Sequence, residues 1–262
     1  MLYLLSLLSI GSVAGFLSGL FGIGGGIVTI PCLNLLGISL AVATATNIIQ
    51  VFFVSLTNTI QRRKEGAIDF SIAFLMIFSS FVGNVISNLC LNFIKKNGNI
   101  ELFISIFFIA IMLLLAGVNI YDVIKKHHTK QAAIKLNNKL KYLFVIICGL
   151  ITGFLMPIMG IGGGFIVVPF LLKVLKFNKN EAVCTANFQM LLVSAFAIIN
   201  GLFHHAPFNF KIAAVLIVAS FFTVRVGSNL SKKISEKSFR LSIATLMLVV
   251  ASFFITKLLN AP

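Results

Sequence analysis

Gly22-Ile23-Gly24-Gly25-Gly26, followed by Pro31, and Gly160-Ile161-Gly162-Gly163-Gly164, followed by Pro169, are one motif written twice, 138 residues apart. Gly15-Phe16-Leu17 precedes the first copy and Gly153-Phe154-Leu155 the second. The match continues at an offset of 139: Thr46 with Thr185, Gln50 with Gln189, Ser55 with Ser194. Further on, Val82-Gly83-Asn84 resembles Val226-Gly227-Ser228. Matches in this order make an internal duplication. The chain divides into a first transmembrane repeat, 1–121, a basic linker, 122–141, and a second repeat, 142–262.

The solvent follows from composition. Of 262 residues, 59% are hydrophobic and 10% charged, against about 25% charged in a soluble domain. Such a chain cannot clothe a water-soluble core, and it carries too much apolar surface for disorder. It reads as an all-α polytopic membrane protein. At about 20 apolar residues per crossing, the length allows about eight to ten membrane segments. Apolar runs fall near 3–20, 27–36, 41–60, 69–93, 100–121, 142–159, 165–176, 181–203, 211–231 and 239–259. The runs 27–36 and 165–176 are too short for a full crossing; they read as short broken helices after the glycine loops. The apolar start at Met1-Leu2-Tyr3 lacks a basic leader and reads as the first membrane segment rather than a cleaved signal. The expected place is the cell membrane, multi-pass (the inner membrane in a Gram-negative cell), with the lipid bilayer as partner.

Net charge is +15. The cations sit in short gaps between apolar runs, so they read as topology signals and lipid contacts, with no nucleic-acid partner. If each half made four crossings, the loops would carry nine cations on either side. If 27–36 and 165–176 each count as a passage, the loops 61–68, 122–141, 173–180 and 231–240 carry sixteen on one side, against Lys95, Lys96, Lys211 and Lys257 on the other. The bias expected of membrane proteins selects the second count. Five passages per half make the repeats inverted, with a cytoplasmic linker and both termini outside.

The glycine triplets break the helix, and a break is tolerated in hydrocarbon where it lines a cavity or is buried in protein. Each following short helix would aim its N-terminus, with free N–H groups and about half a positive charge, at the break. Gly24, Gly25 and Gly26 with Gly162, Gly163 and Gly164 are therefore expected to form an anion site in a shared central cavity. Gly11, Gly15 and Gly19, four apart, read instead as a packing face. Thr46, Asn47 and Gln50, with Thr185, Asn187 and Gln189, are candidate substrate contacts: neutral amides and hydroxyls donate to an oxyanion without the cost of a buried ion. The alternative for them is hydrogen bonding between helices. Arg225, alone inside an apolar run, reads as a residue snorkelling to the interface. His204 and His205 read as surface, with proton relay as the alternative.

The six carboxylates all lie at segment ends, no Walker A sequence occurs, and no cysteine pair or Cys/His spacing suits a metal. The expectation is no catalytic residue, no metal site, no cofactor and no enzyme, with a small anionic substrate. An anion channel, an uptake carrier for another organic anion and a non-transporting scaffold stay open. A homodimer is compatible with such a chain.

Gly15 to Pro31, then Ala45-Thr46-Asn47-Ile48-Ile49-Gln50, then Arg62-Arg63-Lys64 before Asp69, resemble the TauE/SafE family of sulfite and organosulfonate exporters over nearly the whole chain. Thr185-Ala186-Asn187 and Met156-Pro157 depart from its pattern in the second half. The resemblance implies a secondary transporter moving small sulfur-containing anions, most often outward.

Overall fold

Glycine and proline punctuation divides the chain into ten helices among the described residues, which are 2–62, 68–97, 100–125 and 138–259 of the computed structural model. They are α1 (Leu2–Phe21), α2 (Gly26–Leu35), α3 (Leu40–Arg62), α4 (Phe70–Asn97), α5 (Ile100–Lys125), α6 (Asn138–Met159), α7 (Gly164–Lys173), α8 (Lys179–Phe203), α9 (Phe210–Ser231) and α10 (Glu236–Leu259). No strand occurs among these residues. Six helices, α1, α3, α4, α6, α8 and α9, are long and apolar enough to cross a membrane. Phe78, Phe93, Leu114, Phe203 and Phe222 stand exposed on the outside, as a surface bathed in lipid requires. The protein is an all-α, multi-pass integral membrane protein. Of the expected basic linker, residues 126–137 lie outside the described residues.

α2 and α7 have ten residues each, about 15 Å of helix, half a hydrocarbon layer. Both are capped by a left-handed glycine, Gly25 (φ 72°) and Gly163 (φ 71°). That conformation is open to glycine at little cost and costs an L side chain strain. Pro31 and Pro169 lie inside them and each removes one backbone donor.

The halves interlock. α1 packs along α9 and α4 along α6, each joining the first helix of one half to the fourth of the other; α3 packs on α8 and α5 on α10. Small residues allow the close approach. A Cβ on Gly11 would lie 2.8 Å from Leu216 O and one on Gly15 2.7 Å from Ser220 O, so Gly11, Gly15 and Gly19 form the packing face their spacing predicts. Gly149 and Gly153 of α6 press on Met76 and Ser80 of α4 in the same way.

α3 and α8 run antiparallel. The first turns of α3 (Ala41, Thr44, Ala45) and the last of α8 (Ala197, Gly201, His204) line one cleft. At the opposite end the α3 terminus meets the start of α8, where Cys184 Sγ donates to Arg62 O at 3.8 Å.

Candidate functional site

The two glycine breaks cross at the centre. Gly24 faces Gly162, with 3.5 Å from a Cβ position on the first to Cα of the second. On one side of that pair Gly26 abuts Gly160; on the other, Gly164 abuts the Gly22 carbonyl. Gly22 and Gly160 are equivalent in the repeat, as are Gly26 and Gly164, so the crossing has local twofold character. Each carbonyl at the start of one break points at the first residue of the other short helix.

The backbone there is short of partners. Among the described residues, the amides of Ile23, Gly24, Gly25 and Ile27, and of Ile161, Gly162, Gly164 and Phe165, donate to no acceptor. Gly25, Ile27, Gly164 and Phe165 belong to the first turns and caps, whose donors a helix leaves over; Ile23, Gly24, Ile161 and Gly162 lie in the breaks before them, and the two sets meet where the helix dipoles converge. The expectation of an open cavity needs correction. Residues 21–27 and 159–165 are buried, and neither of the two clefts described below touches the glycines. The missing side chains are filled by the opposing break, by Met190 and by Val51. This is a closed centre: glycine permits contact so close that the two segments occlude each other.

The amides flank this crossing. Asn47, fully buried, donates from Nδ2 to Gly160 O at 2.5 Å and touches Gly26. Asn187, fully buried, donates to Val183 O at 2.7 Å, with Nδ2 beside Gly22. Asn47 Oδ1 and Asn187 Oδ1 accept nothing. Gln50 donates to Ser220 Oγ at 2.7 Å and accepts from Thr29 Oγ1 at 3.0 Å. Gln189 donates to Ser80 Oγ at 3.1 Å, but its Oε1 is unpartnered, because Val167 stands at the position equivalent to Thr29. Ser220 passes its proton to Gly11 O or Leu216 O, and Ser80 to Gly149 O or Met76 O.

Thr46 and Thr185 serve the framework in this conformation. The amide of Asn209, N-cap of α9, donates to Thr46 Oγ1 at 3.0 Å, and the amide of Asp69, before α4, donates to Thr185 Oγ1 at 3.2 Å. Each threonine thus anchors a helix start belonging to the other half. Of the sequence candidates, the glycines, Asn47 and Asn187 meet at the crossing, while both glutamines reach outward to the serines on α9 and α4.

A polar ladder was not foreseen. Asn84, Asn88 and Asn92, four apart on α4, face α8: Asn200 donates to Asn84 Oδ1 at 2.8 Å, and Asn92 lies 3.1 Å from His204 Nδ1. Asn88, Asn92, His204, Thr44 and Pro157 line a cleft of about 530 Å³ counting its open mouth. Thr44 is also the residue against which Gly160 packs, so this cleft ends one residue short of the crossing. Arg62, counted in sequence with the basic turn, is buried and donates from Nη2 to Gly19 O at 2.8 Å. A guanidinium on a terminal carbonyl of α1 suits the negative end of that helix. Arg225 lies exposed over the Phe221 ring, 5.2 Å from its centroid, in a lipid-side groove.

The family model described as sulfite exporter TauE/SafE matches residues 7–254. A probable membrane transporter protein of Methanocaldococcus jannaschii is 28% identical, over 95% of this chain and 94% of its own. The probable membrane transporter protein YunE of Bacillus subtilis is 24% identical, over 88% and 90%. A probable membrane transporter protein of Haemophilus influenzae is 25% identical, over 95% and 97%. No solved structure matches the chain significantly.

Proposed function

We propose, from the premise that the chain belongs to the TauE/SafE sulfite exporter family and is a membrane transporter, that it exports small sulfur-containing anions, sulfite or an organosulfonate, by alternating access. The observation that carries this reading is the crossing of two broken helices, where unspent amides of both N-termini converge. Such ends attract an anion without a buried cation. Gly24, Gly25, Gly26, Asn47, Gly162, Gly163, Gly164 and Asn187 would contact it. Thr46, Gln50, Thr185 and Gln189 form the next ring and would be released from their framework bonds as the halves move.

The halves, 1–121 and 142–262, are read as inverted repeats that rock about the crossing. Support comes from the antiparallel run of α3 and α8 and from the twofold pairing of the glycines. Arg62, Lys179, Lys232 and Lys233 gather at the end where α3 stops and α8 starts; that end is assigned to the cytoplasm by the positive-inside bias. The Asn88–His204 cleft then opens outward. A centre closed by backbone packing favours a carrier over a channel, since an anion passes only when the breaks part.

The test is a substrate panel on purified protein in proteoliposomes, sulfite first. Saturable sulfite flux that Gly26→Val abolishes supports the reading. Absence of flux for sulfite and for every sulfonate tried, from monodisperse protein, overturns it.

A further inference from the structure

Arg225 stands on the outer face of α9, where Phe222 and Val226 beside it are exposed. The helix ends at Ser231, about 9 Å further along its axis. The guanidinium does not run to that end. It lies over the Phe221 ring, one turn back, 5.2 Å from the centroid, because helical side chains lean toward the helix start. Among the described residues no carboxylate pairs with it. A charge at this depth is costly and calls for a partner.

A groove of about 710 Å³, counting its open side, runs beside it between α3 and α9. The two helices lie in the same sense, with Thr46 bonded to Asn209 and Gln50 to Ser220. Arg225 and Gln61 therefore share one end of the groove, and Gln61 Nε2 meets no acceptor. Ile217 and Phe53, two turns earlier in each helix, line the other end, about 12 Å away. Between the ends the walls are Leu56, Ile60 and Phe221, with the Thr57 hydroxyl spent on Phe53 O at 2.8 Å. The groove is thus polar near the helix ends and apolar inward, over most of the ~15 Å of hydrocarbon in one leaflet. A phospholipid has the same order: charged headgroup, then acyl chain. A second copy docked here about a twofold axis would bring one Arg225 toward the other. A free phosphate ion would leave the apolar walls uncovered.

We propose that this groove binds one anionic phospholipid, its phosphate on Arg225 beside Gln61 and one acyl chain laid along Phe221 and Leu56 toward Ile217. α3 and α9 belong to different halves, so the lipid bridges the repeats. The proposal goes beyond the transport reading and does not depend on the cargo.

Native mass spectrometry of delipidated protein in detergent tests it, with dioleoylphosphatidylglycerol, dioleoylphosphatidylcholine and inorganic phosphate as probes. The expected result is one phosphatidylglycerol per chain, held about fivefold more tightly than phosphatidylcholine and not displaced by excess phosphate. Arg225 is exposed, so Arg225→Gln spares folding; it should bring the two lipids to within about twofold. Arg225→Lys should keep the preference. So should Lys233→Gln, which removes an exposed charge near the same end but outside the groove. A preference that survives Arg225→Gln, or that Lys233→Gln also abolishes, reports general surface charge and overturns the proposal. Displacement of the lipid by inorganic phosphate overturns it in favour of a plain anion site. Dimers that persist without lipid and that Phe221→Ala dissociates would mean that a second copy fills the groove, which also overturns it.

Discussion

Asn47 Nδ2 reaches Gly160 O at 2.5 Å, joining residues 113 apart in the chain and belonging to different halves. It ties α3 of the first half to the helix break of the second. The Gly160 carbonyl has left the α6 hydrogen-bond ladder, so without Asn47 it would be a buried acceptor with nothing to accept. Asn47→Leu should therefore lower the stability of the purified protein by about 1–3 kcal/mol. It should also reduce sulfite flux below that of Asn187→Leu, whose amide holds no break. The chain has no tryptophan, so thermal unfolding in detergent is best followed by circular dichroism. An Asn47→Leu protein that melts with the unaltered one would show that the contact carries no stability.

Glycine at the crossing is required by contact distance. A Cβ on Gly26 would strike Asn47 Nδ2 and lie 3.1 Å from Gly160 O; one on Gly164 would strike the Gly22 carbonyl. Gly26→Ala and Gly164→Ala should each force the breaks apart and abolish flux, with melting lowered by about 1–3 kcal/mol, the usual cost of overpacking. Gly117, in α5, has nothing within 4 Å of its Cβ position. Gly117→Ala should leave flux unchanged and raise stability by up to about 1 kcal/mol through helix propensity. Flux retained in Gly26→Ala would show that the crossing is not where the substrate passes.

Much of this was legible because duplication and backbone punctuation are local signals. The runs 27–36 and 165–176 became α2 and α7 to within three residues, and the four-residue spacing of Gly11, Gly15 and Gly19 marked a real interface. What could not be read was which partner each face would meet. α1 lies on α9 of the other half, so Ser220 completes the Gln50 bond and Asn209 the Thr46 bond from positions no periodicity connects. The ladder Asn84–Asn88–Asn92 was visible as a spacing of four, but each asparagine reads alone as a helix-to-helix bond until His204 and Asn200 are placed opposite. The glycines were expected to line an open space. Their lack of side chains, the property that breaks the helices, is also what lets the two breaks close on each other.

The two glutamines differ by one partner. Thr29 gives its hydroxyl proton to Gln50 Oε1, whereas Val167 offers Gln189 Oε1 nothing. Thr29→Val keeps the shape and orphans Gln50, so it should cost about 1–3 kcal/mol. Val167→Thr supplies the missing donor at the equivalent place and should recover about 1 kcal/mol. Opposite signs in paired melting curves are the expected result. Two changes of the same sign would mean that the twofold relation between these positions does not hold.

The topology predicts where each loop can be touched. Ala206 lines the cleft beside His204 at the end where α8 stops; Ser235 is exposed at the opposite end, between α9 and α10, near Lys232 and Lys233. With Cys32, Cys90, Cys148 and Cys184 replaced, a single Ala206→Cys should react with a membrane-impermeant thiol reagent added outside intact cells. Ser235→Cys should react only after the membrane is opened, because the proposed inverted topology sets it on the side with sixteen loop cations, the cytoplasmic side by the positive-inside bias. If substrate leaves through the cleft, saturating sulfite should also slow labelling at Ala206 and not at Ser235. α9 separates the two positions in either arrangement, so labelling of Ser235→Cys but not Ala206→Cys from outside would reverse the two faces. The inverted reading would then give way to a parallel one, and with it the assignment of the cleft as the exit.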